Sequence, residues 1–268
     1  MKKLIVAGAG PAGISAALYA RRGGLDVTVL YMNGGALEKA DRIENYYGFP
    51  EGITGRALFE RGIEQAQNLG IEVRREEIVG LDFDGRFVVT TTETAERADG
   101  IVLAMGSPRK VPKVENIQAF EGRGVSYCAV CDGFFFRGKD VAVLGAGDYA
   151  AHEAEVLRPL AGSVTMLSEN EVRAVEGGET LEHVIMADGS HLAVQGLFVA
   201  MGSAGSGDLA RKLGAKLDNG RIVVDENGRT TVPGLYAAGD STGGLLQVAK
   251  AVSGGAVAGM AAVRELKA

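Results

Sequence analysis

Short apolar runs alternate along the chain with stretches in which hydrophobic positions recur every three to four residues, a pattern that predicts strands alternating with helices. Residues 3–7 read as a buried strand, 12–22 as a helix stopped by Gly23-Gly24, and 26–30 as a second strand. A helix over 56–69 closes at Gly70, a strand follows at 71–78, and a hairpin about Asp84-Gly85 joins 80–84 to 86–92. Residues 100–104 form another buried strand, running into Met105-Gly106. After residues 108–112 the pattern restarts with a strand at 140–144, a helix at 150–160 and a strand at 163–167. Three short strands (171–175, 180–186, 191–195) then lead to one at 197–200. The last section holds strands at 221–224 and 234–237 and a long helix of small residues over 245–267. A strand, a glycine turn and a helix thus occur in succession twice, at Gly8 and again at Gly145.

Composition narrows the class. The 268 residues are 46% hydrophobic and 23% charged, enough apolar content for a sizeable core and too much for a disordered chain. A net charge of −6 argues against a nucleic-acid or membrane-surface partner. No apolar run approaches the ~20 residues of a membrane span. The opening Met1-Lys2-Lys3 and its apolar run imitate a leader, but Gly8, Gly10, Pro11 and Gly13 break the run so early that a buried strand and a cytoplasmic protein are expected. The 40 glycines cluster at the ends of apolar runs. The 2 cysteines, Cys128 and Cys131, rule out a disulfide-stapled secreted scaffold and raise the question of a redox pair.

Between the first strand and helix stands GAGPAG, residues 8–13. Gly8 permits the tight turn, Gly10 lets a pyrophosphate approach the backbone, and Gly13 lets helix pack on strand. The second strand ends Leu30-Tyr31-Met32 with no acid for a ribose 2′-hydroxyl; Asn33-Gly34-Gly35 instead offers backbone contact. A second motif, PGLYAAGD over 233–240, ends a strand in small residues and a lone carboxylate, Asp240. Asp240 suits a hydrogen bond from a sugar-like hydroxyl, or equally an ordinary helix N-cap.

The third motif is Cys128-Ala-Val-Cys131-Asp132. Tetrahedral zinc wants four ligands, and His152, His183 and His191 have no ligand spacing with the cysteines, so two sulfurs cycling between dithiol and disulfide is the better reading. Together with GAGPAG, the AAGD element, IENYYGFP (43–50), the AMG turn (104–106) and Gln247-Val248, this motif resembles the low-molecular-weight flavin thioredoxin reductases over nearly the whole chain. The resemblance implies an α/β fold of two dinucleotide-binding, Rossmann-like domains: an FAD domain over 1–110 and 214–268, and an inserted domain over 111–213 carrying the cysteines. It implies that FAD is bound by Gly8, Gly10, Pro11, Ala12, Gly13, Gly34, Gly35, Asn45, Ile78, Ala104, Gly106, Gly239, Asp240, Gln247 and Val248. Cys131 would face the flavin, Cys128 would attack a thioredoxin-like disulfide, and Asp132 would shuttle a proton, a role its place beside Cys131 favours over that of a solvated loop carboxylate. A homodimer is implied on the same ground.

The chain departs from that family where NADPH should bind. The second glycine turn, GAGDYA at 145–150, is present, but the strand after it runs into Ser168-Glu169-Asn170-Glu171, two carboxylates where cations are needed against a 2′-phosphate. Repulsion there would be on the order of several kcal/mol at close range. The stretch up to residue 197 is also too short for a crossover helix and a further parallel strand, so one βα unit is missing on the adenosine side. Glu169, with Gly145 and Gly147, has the spacing to hold an unphosphorylated ribose of NADH or a second FAD, or is a solvent-exposed acidic turn. Leu245-Leu246-Gln247 replaces the family's aromatic–Arg–Gln segment.

The chain is therefore most similar to the branch without the NADPH cluster, the ferredoxin-dependent flavin thioredoxin reductases and diflavin-linked disulfide oxidoreductases. The expected enzyme passes electrons from reduced ferredoxin through FAD to Cys128–Cys131 and on to a thioredoxin-like disulfide. The alternatives are an NAD(P)H-dependent reductase with an atypical nucleotide site, a diflavin or O₂-linked dithiol oxidoreductase, and a flavin sensor without turnover. Basic residues that could meet an acidic ferredoxin (Arg109, Lys110, Lys113; Arg211, Lys212, Lys216) are scattered enough to be ordinary surface.

Overall fold

A computed structural model describes residues 1–106, 112–127, 129–201 and 205–268, without the side chains of Lys39, Val130 and Cys131. The chain folds as two compact units, Met1–Pro108 with Gly205–Ala268, and Arg109–Ala204. The second boundary falls at 204/205 rather than 213/214, because residues 206–212 form a helix that packs within the first unit.

The first unit opens with β1 (Lys3–Ala7), α1 (Pro11–Arg22) and β2 (Asp26–Tyr31). It continues through α2 (Gly55–Asn68), β3 (Glu72–Arg75), β4 (Ile78–Phe83), β5 (Phe87–Thr91), β6 (Ala95–Ala98) and β7 (Gly100–Leu103). The strand expected over 71–78 is two: β3 ends at Arg75, and Ile78 starts β4 in another sheet. The second unit contains β8 (Val125–Ser126), α3 (Ala129–Asp132), β9 (Asp140–Leu144), α4 (Asp148–Leu157), β10 (Ser163–Leu167), β11 (Val172–Gly177), β12 (Leu181–Met186), β13 (His191–Ala193) and β14 (Gly196–Val199). The chain then returns to the first unit with α5 (Ser206–Lys212), β15 (Leu217–Asp218), β16 (Arg221–Ile222), β17 (Leu235–Ala237) and α6 (Val248–Leu266). Among the described residues no helix is long and apolar enough to cross a membrane.

Each unit is built on a parallel sheet, ordered β17-β7-β1-β2-β3 in the first and β10-β9-β14-β8 in the second. The strands β1, β7 and β9 are buried along almost their whole length, as a sheet covered on both faces requires. Helices α1 and α6 lie on the first sheet, with Ala12, Ala16, Ala258 and Ala262 in one core with Leu4, Val29 and Val102. In the second unit β10 is an edge strand, and the chain passes from it into the antiparallel meander β11-β12-β13 before re-entering the sheet as β14.

An ion cluster joins the two larger sheets of the first unit: Glu96 on β6 accepts from Lys3 on β1 and from Arg74 on β3. Burial opposes ionisation of Glu96, but the two cations outweigh it and hold its carboxyl below the usual Glu range. A lowered folded value contributes stability that is present above about pH 4.3, the unfolded range, and lost as pH falls through the folded value. Urea unfolding should therefore show a lower midpoint at pH 3 than at pH 7, and Glu96→Gln should narrow that difference; an equal difference in the variant would remove Glu96 as its source.

Candidate active site

The two glycine turns share one construction. Gly8 donates its N–H to the Leu30 carbonyl (2.7 Å) and Gly145 to that of Leu167 (2.8 Å). Ala104 donates to Ala7 (2.8 Å), and Ala200 to Leu144 (2.7 Å). A Cβ on Gly8 would stand 2.4 Å from the Ala104 carbonyl oxygen, and one on Gly145 1.9 Å from that of Ala200. Each turn therefore requires glycine where the neighbouring strand end crosses it.

The next glycine differs. Nothing lies within 4 Å of where a Cβ would be on Gly10 or Gly147, the N-caps of α1 and α4, and neither helix start has a side-chain cap. A helix start with free N–H groups and open space beside it fits a pyrophosphate. In the first unit Gly13 completes the arrangement, for its Cβ would come 1.8 Å from the Gly8 carbonyl oxygen.

The AAGD segment arrives at the same turn. Gly239 sits so close to α1 that a Cβ there would be 2.8 Å from that of Ala12. Asp240 is half-buried in a 3₁₀ turn, Gly239–Thr242, and Ala238 donates its N–H to Leu103 (3.1 Å). The final helix begins at Val248, not 245, because Gly243 and Gly244 take positive φ and keep the chain in a loop before it. Lys250 on α6 clamps this loop, donating to the Gly239 carbonyl (2.8 Å), Thr242 Oγ1 (3.1 Å) and the Gly243 carbonyl (2.7 Å). Burial pulls the Lys250 pKa down, with Asp240 acting against the shift. Lys250→Met keeps the stem but removes three donors, and should cost about 2 kcal/mol in urea unfolding; an unchanged midpoint would deny the clamp its structural weight.

Asn45 and Gln247 meet through an Nδ2-to-Oε1 bond of 2.9 Å. Ala104 is buried, Gly106 is half-buried and Ile78 is buried at the start of β4, opposite Thr91. Two expectations change at Gly34 and Gly35. Their N–H groups are already taken, by Glu38 Oε2 (3.0 Å) and Asn33 Oδ1 (2.9 Å). An acid does stand beyond β2, but it is Glu38, reached only because the chain folds back.

In the second unit Cys128 and the side chain of Cys131 lie outside the described residues, as do Arg109 and Lys110. Residues near them in sequence are described. Asp132 Oδ2 accepts from the buried Ser126 hydroxyl at 2.6 Å, which anchors the carboxylate to β8. Glu153 on α4, buried, accepts the N–H of Ala129. Beyond β10, Glu169 Oε1 accepts the Lys113 N–H at 2.9 Å, and Glu171 caps Ser168, whose hydroxyl and N–H hold its pKa below the usual Glu range. Among the described residues no group of His, Cys, Asp and Glu could hold a metal ion. Sequence reasoning missed Glu38, Ser126, Glu153 and Lys250. The legible signals were two: a carboxylate in the apolar stripe of Tyr149, Ala150, Ala154 and Leu157, and a lysine in the first turn of a helix, where cations are disfavoured.

Comparison with known proteins places this geometry. A family model described as pyridine nucleotide-disulphide oxidoreductase matches residues 2–172 and 163–255. A thioredoxin reductase of Mycolicibacterium smegmatis is 36% identical, over 88% of this chain and 87% of that protein. The crystal structure of the atypical thioredoxin reductase TRi from Desulfovibrio vulgaris Hildenborough is 39% identical with a TM-score of 0.94, covering 100% of this chain and 98% of the other. A ferredoxin-flavin thioredoxin reductase from Clostridium acetobutylicum is 29% identical with a TM-score of 0.74, covering 100% and 99%. The chain belongs to the pyridine nucleotide-disulphide oxidoreductase family and is a thioredoxin reductase-like flavin oxidoreductase.

Proposed function

We propose that the protein reduces a thioredoxin-like disulfide with electrons that come from reduced ferredoxin rather than NADPH. The observation that carries the donor is the end of β10, where Glu169 and Glu171 occupy the place of the cations a 2′-phosphate needs. The similarity to a ferredoxin-flavin thioredoxin reductase supports it.

FAD would be held by the turn from Gly8 to Gly13, the buried Ala104, the Asp240 turn and the Asn45–Gln247 pair. The remaining predicted contacts, at Ile78, Gly106 and Val248, belong to the same proposal, whereas Gly34 and Gly35 would touch the dinucleotide without donating their N–H groups, which Glu38 and Asn33 accept. When bound, FAD accepts electrons one at a time and yields them in pairs. The chain's own residues do the thiol chemistry. The Cys128 thiolate attacks one sulfur of the partner disulfide, and the mixed disulfide forms as the partner's S–S bond breaks. Cys131 then attacks Cys128, releasing the partner as a dithiol and leaving Cys128–Cys131 as a disulfide. Asp132, fixed by Ser126, carries the proton between the pair and the leaving sulfur. Two reduced ferredoxins, one electron each, restore the dithiol with two protons from solvent. The surroundings are proposed to be cytoplasmic, and the protein a homodimer on family resemblance.

A second reading uses NADH. The turn at Gly145 and Gly147 keeps the open helix start of the first unit, which favours a dinucleotide, and the acidic Glu169 after β10 suits one without a 2′-phosphate. Equilibrium titration followed by flavin fluorescence separates these cases. The ferredoxin reading expects no saturable quenching by either nucleotide; saturation by NADH alone at micromolar concentration would favour the second reading, and saturation by NADPH would overturn both.

A further inference from the structure

Glu153 is a carboxylate to which the reaction above gives no task, although it is only 1% exposed. It stands on the inward face of α4, where Tyr149, Ala150, Ala154 and Leu157 are also buried. A carboxylate in such a place is costly unless hydrogen-bonded. Here Oε2 accepts the backbone N–H of Ala129 in a buried bond of 2.7 Å. Ala129 opens α3 and lies in sequence between Cys128 and Cys131. An amide or a hydroxyl could satisfy that N–H without bringing a negative charge beneath the segment. The carboxylate does both.

We propose that Glu153, bonded to the backbone of the residue between the two cysteines, is a positioning residue that makes the Cys128–Cys131 pair a stronger reductant. Reduction breaks the S–S bond with two electrons and one proton, leaving a thiol and a thiolate. A fixed negative charge close to the segment disfavours the form that carries the thiolate and so favours the disulfide. The same bond holds the α3 backbone in place for either form. The inference rests on the reading that the two cysteines form a redox pair.

The test is the redox equilibrium of the purified full-length protein against mixtures of reduced and oxidised dithiothreitol. The small dithiol gives two electrons and closes its own disulfide, one proton passing to the pair and one to the buffer. Acid trapping, alkylation and mass measurement give the reduced fraction. Glu153→Gln keeps an acceptor for the Ala129 N–H and loses the charge. Its equilibrium constant should move about tenfold toward the dithiol, equivalent to about 30 mV for a two-electron couple. Glu153→Asp keeps the charge and should move less than twofold, which a purely structural role would not predict. A Glu153→Gln protein that titrates with the wild type, or an Asp variant that shifts as far as Gln, would overturn the proposal while leaving the redox pair intact. If Gln fails to fold, an Asp variant shifted fivefold or more overturns it alone. A wild-type protein that never forms the Cys128–Cys131 disulfide would instead overturn the reading on which the inference rests.

Discussion

Cys128→Ser should lose thioredoxin-disulfide reduction by at least about a thousandfold while the protein keeps its fold and its FAD. The attacking group in disulfide exchange is a thiolate, and a serine hydroxyl is neither ionised near neutral pH nor able to form the mixed disulfide. Cys131 alone cannot take over, because a single thiol that attacks the partner has no second sulfur to release it. The residues proposed for FAD lie in the first unit, whereas Cys128 belongs to the second, so flavin content is the internal control. Turnover of thioredoxin, measured on protein matched for flavin content, decides the matter. Full activity in the serine variant would end the assignment of the cysteine pair.

The second large effect concerns packing beneath the turn proposed to hold FAD, and it has opposite signs at adjacent residues. On α6 a Cβ at Gly255 would lie 2.0 Å from the Ala12 carbonyl oxygen, and at Gly259 2.4 Å from that of Ala16. The helices therefore meet backbone to backbone, and Ala12 belongs to the GAGPAG turn itself. Gly255→Ala must force α1 and α6 apart and should cost about 3 kcal/mol, the upper part of the range for overpacking, with weakened FAD retention. Gly254 faces elsewhere: its Cβ would have the Gly239 nitrogen at 3.8 Å and the Ala238 Cβ at 3.9 Å, ordinary contact distances. Gly254→Ala should then be neutral or stabilising by up to about 1 kcal/mol, the helix-propensity difference. Chemical denaturation of the pair of variants reads both. Equal stability of the two would show that the helices do not meet at Gly255.

Features decided within a few residues were the legible ones. The turn at Gly8–Gly13 follows from local sterics and recurs at Gly145, so the order of residues alone reveals the doubled strand–turn–helix pattern. Cys128, Cys131 and Asp132 stood out because their spacing leaves little else for two lone cysteines to do. What stayed hidden depends on contacts between distant segments. Glu153 meets Ala129 across 24 residues, and Lys250 meets the Gly239 carbonyl across 11. Glu38 was overlooked because the expected place for an acid is the end of β2, whereas the chain folds back to present one. The apolar Leu245 and Leu246 made the last helix look longer than it is, though both are exposed in the loop before it. The short helix α5, with a glycine inside it, carries too few periodic positions to register.

Flavin absorbance under anaerobic conditions reads the change of electron donor itself. FAD-loaded protein is mixed in turn with NADPH, NADH and chemically reduced ferredoxin, and oxidised thioredoxin is then added. Ferredoxin should bleach the flavin band, thioredoxin should restore it, and NADPH should leave it unbleached. Bleaching by NADPH at micromolar concentration, with ferredoxin inert, would contradict the ferredoxin reading and would make the acidic turn after β10 a variant nucleotide site.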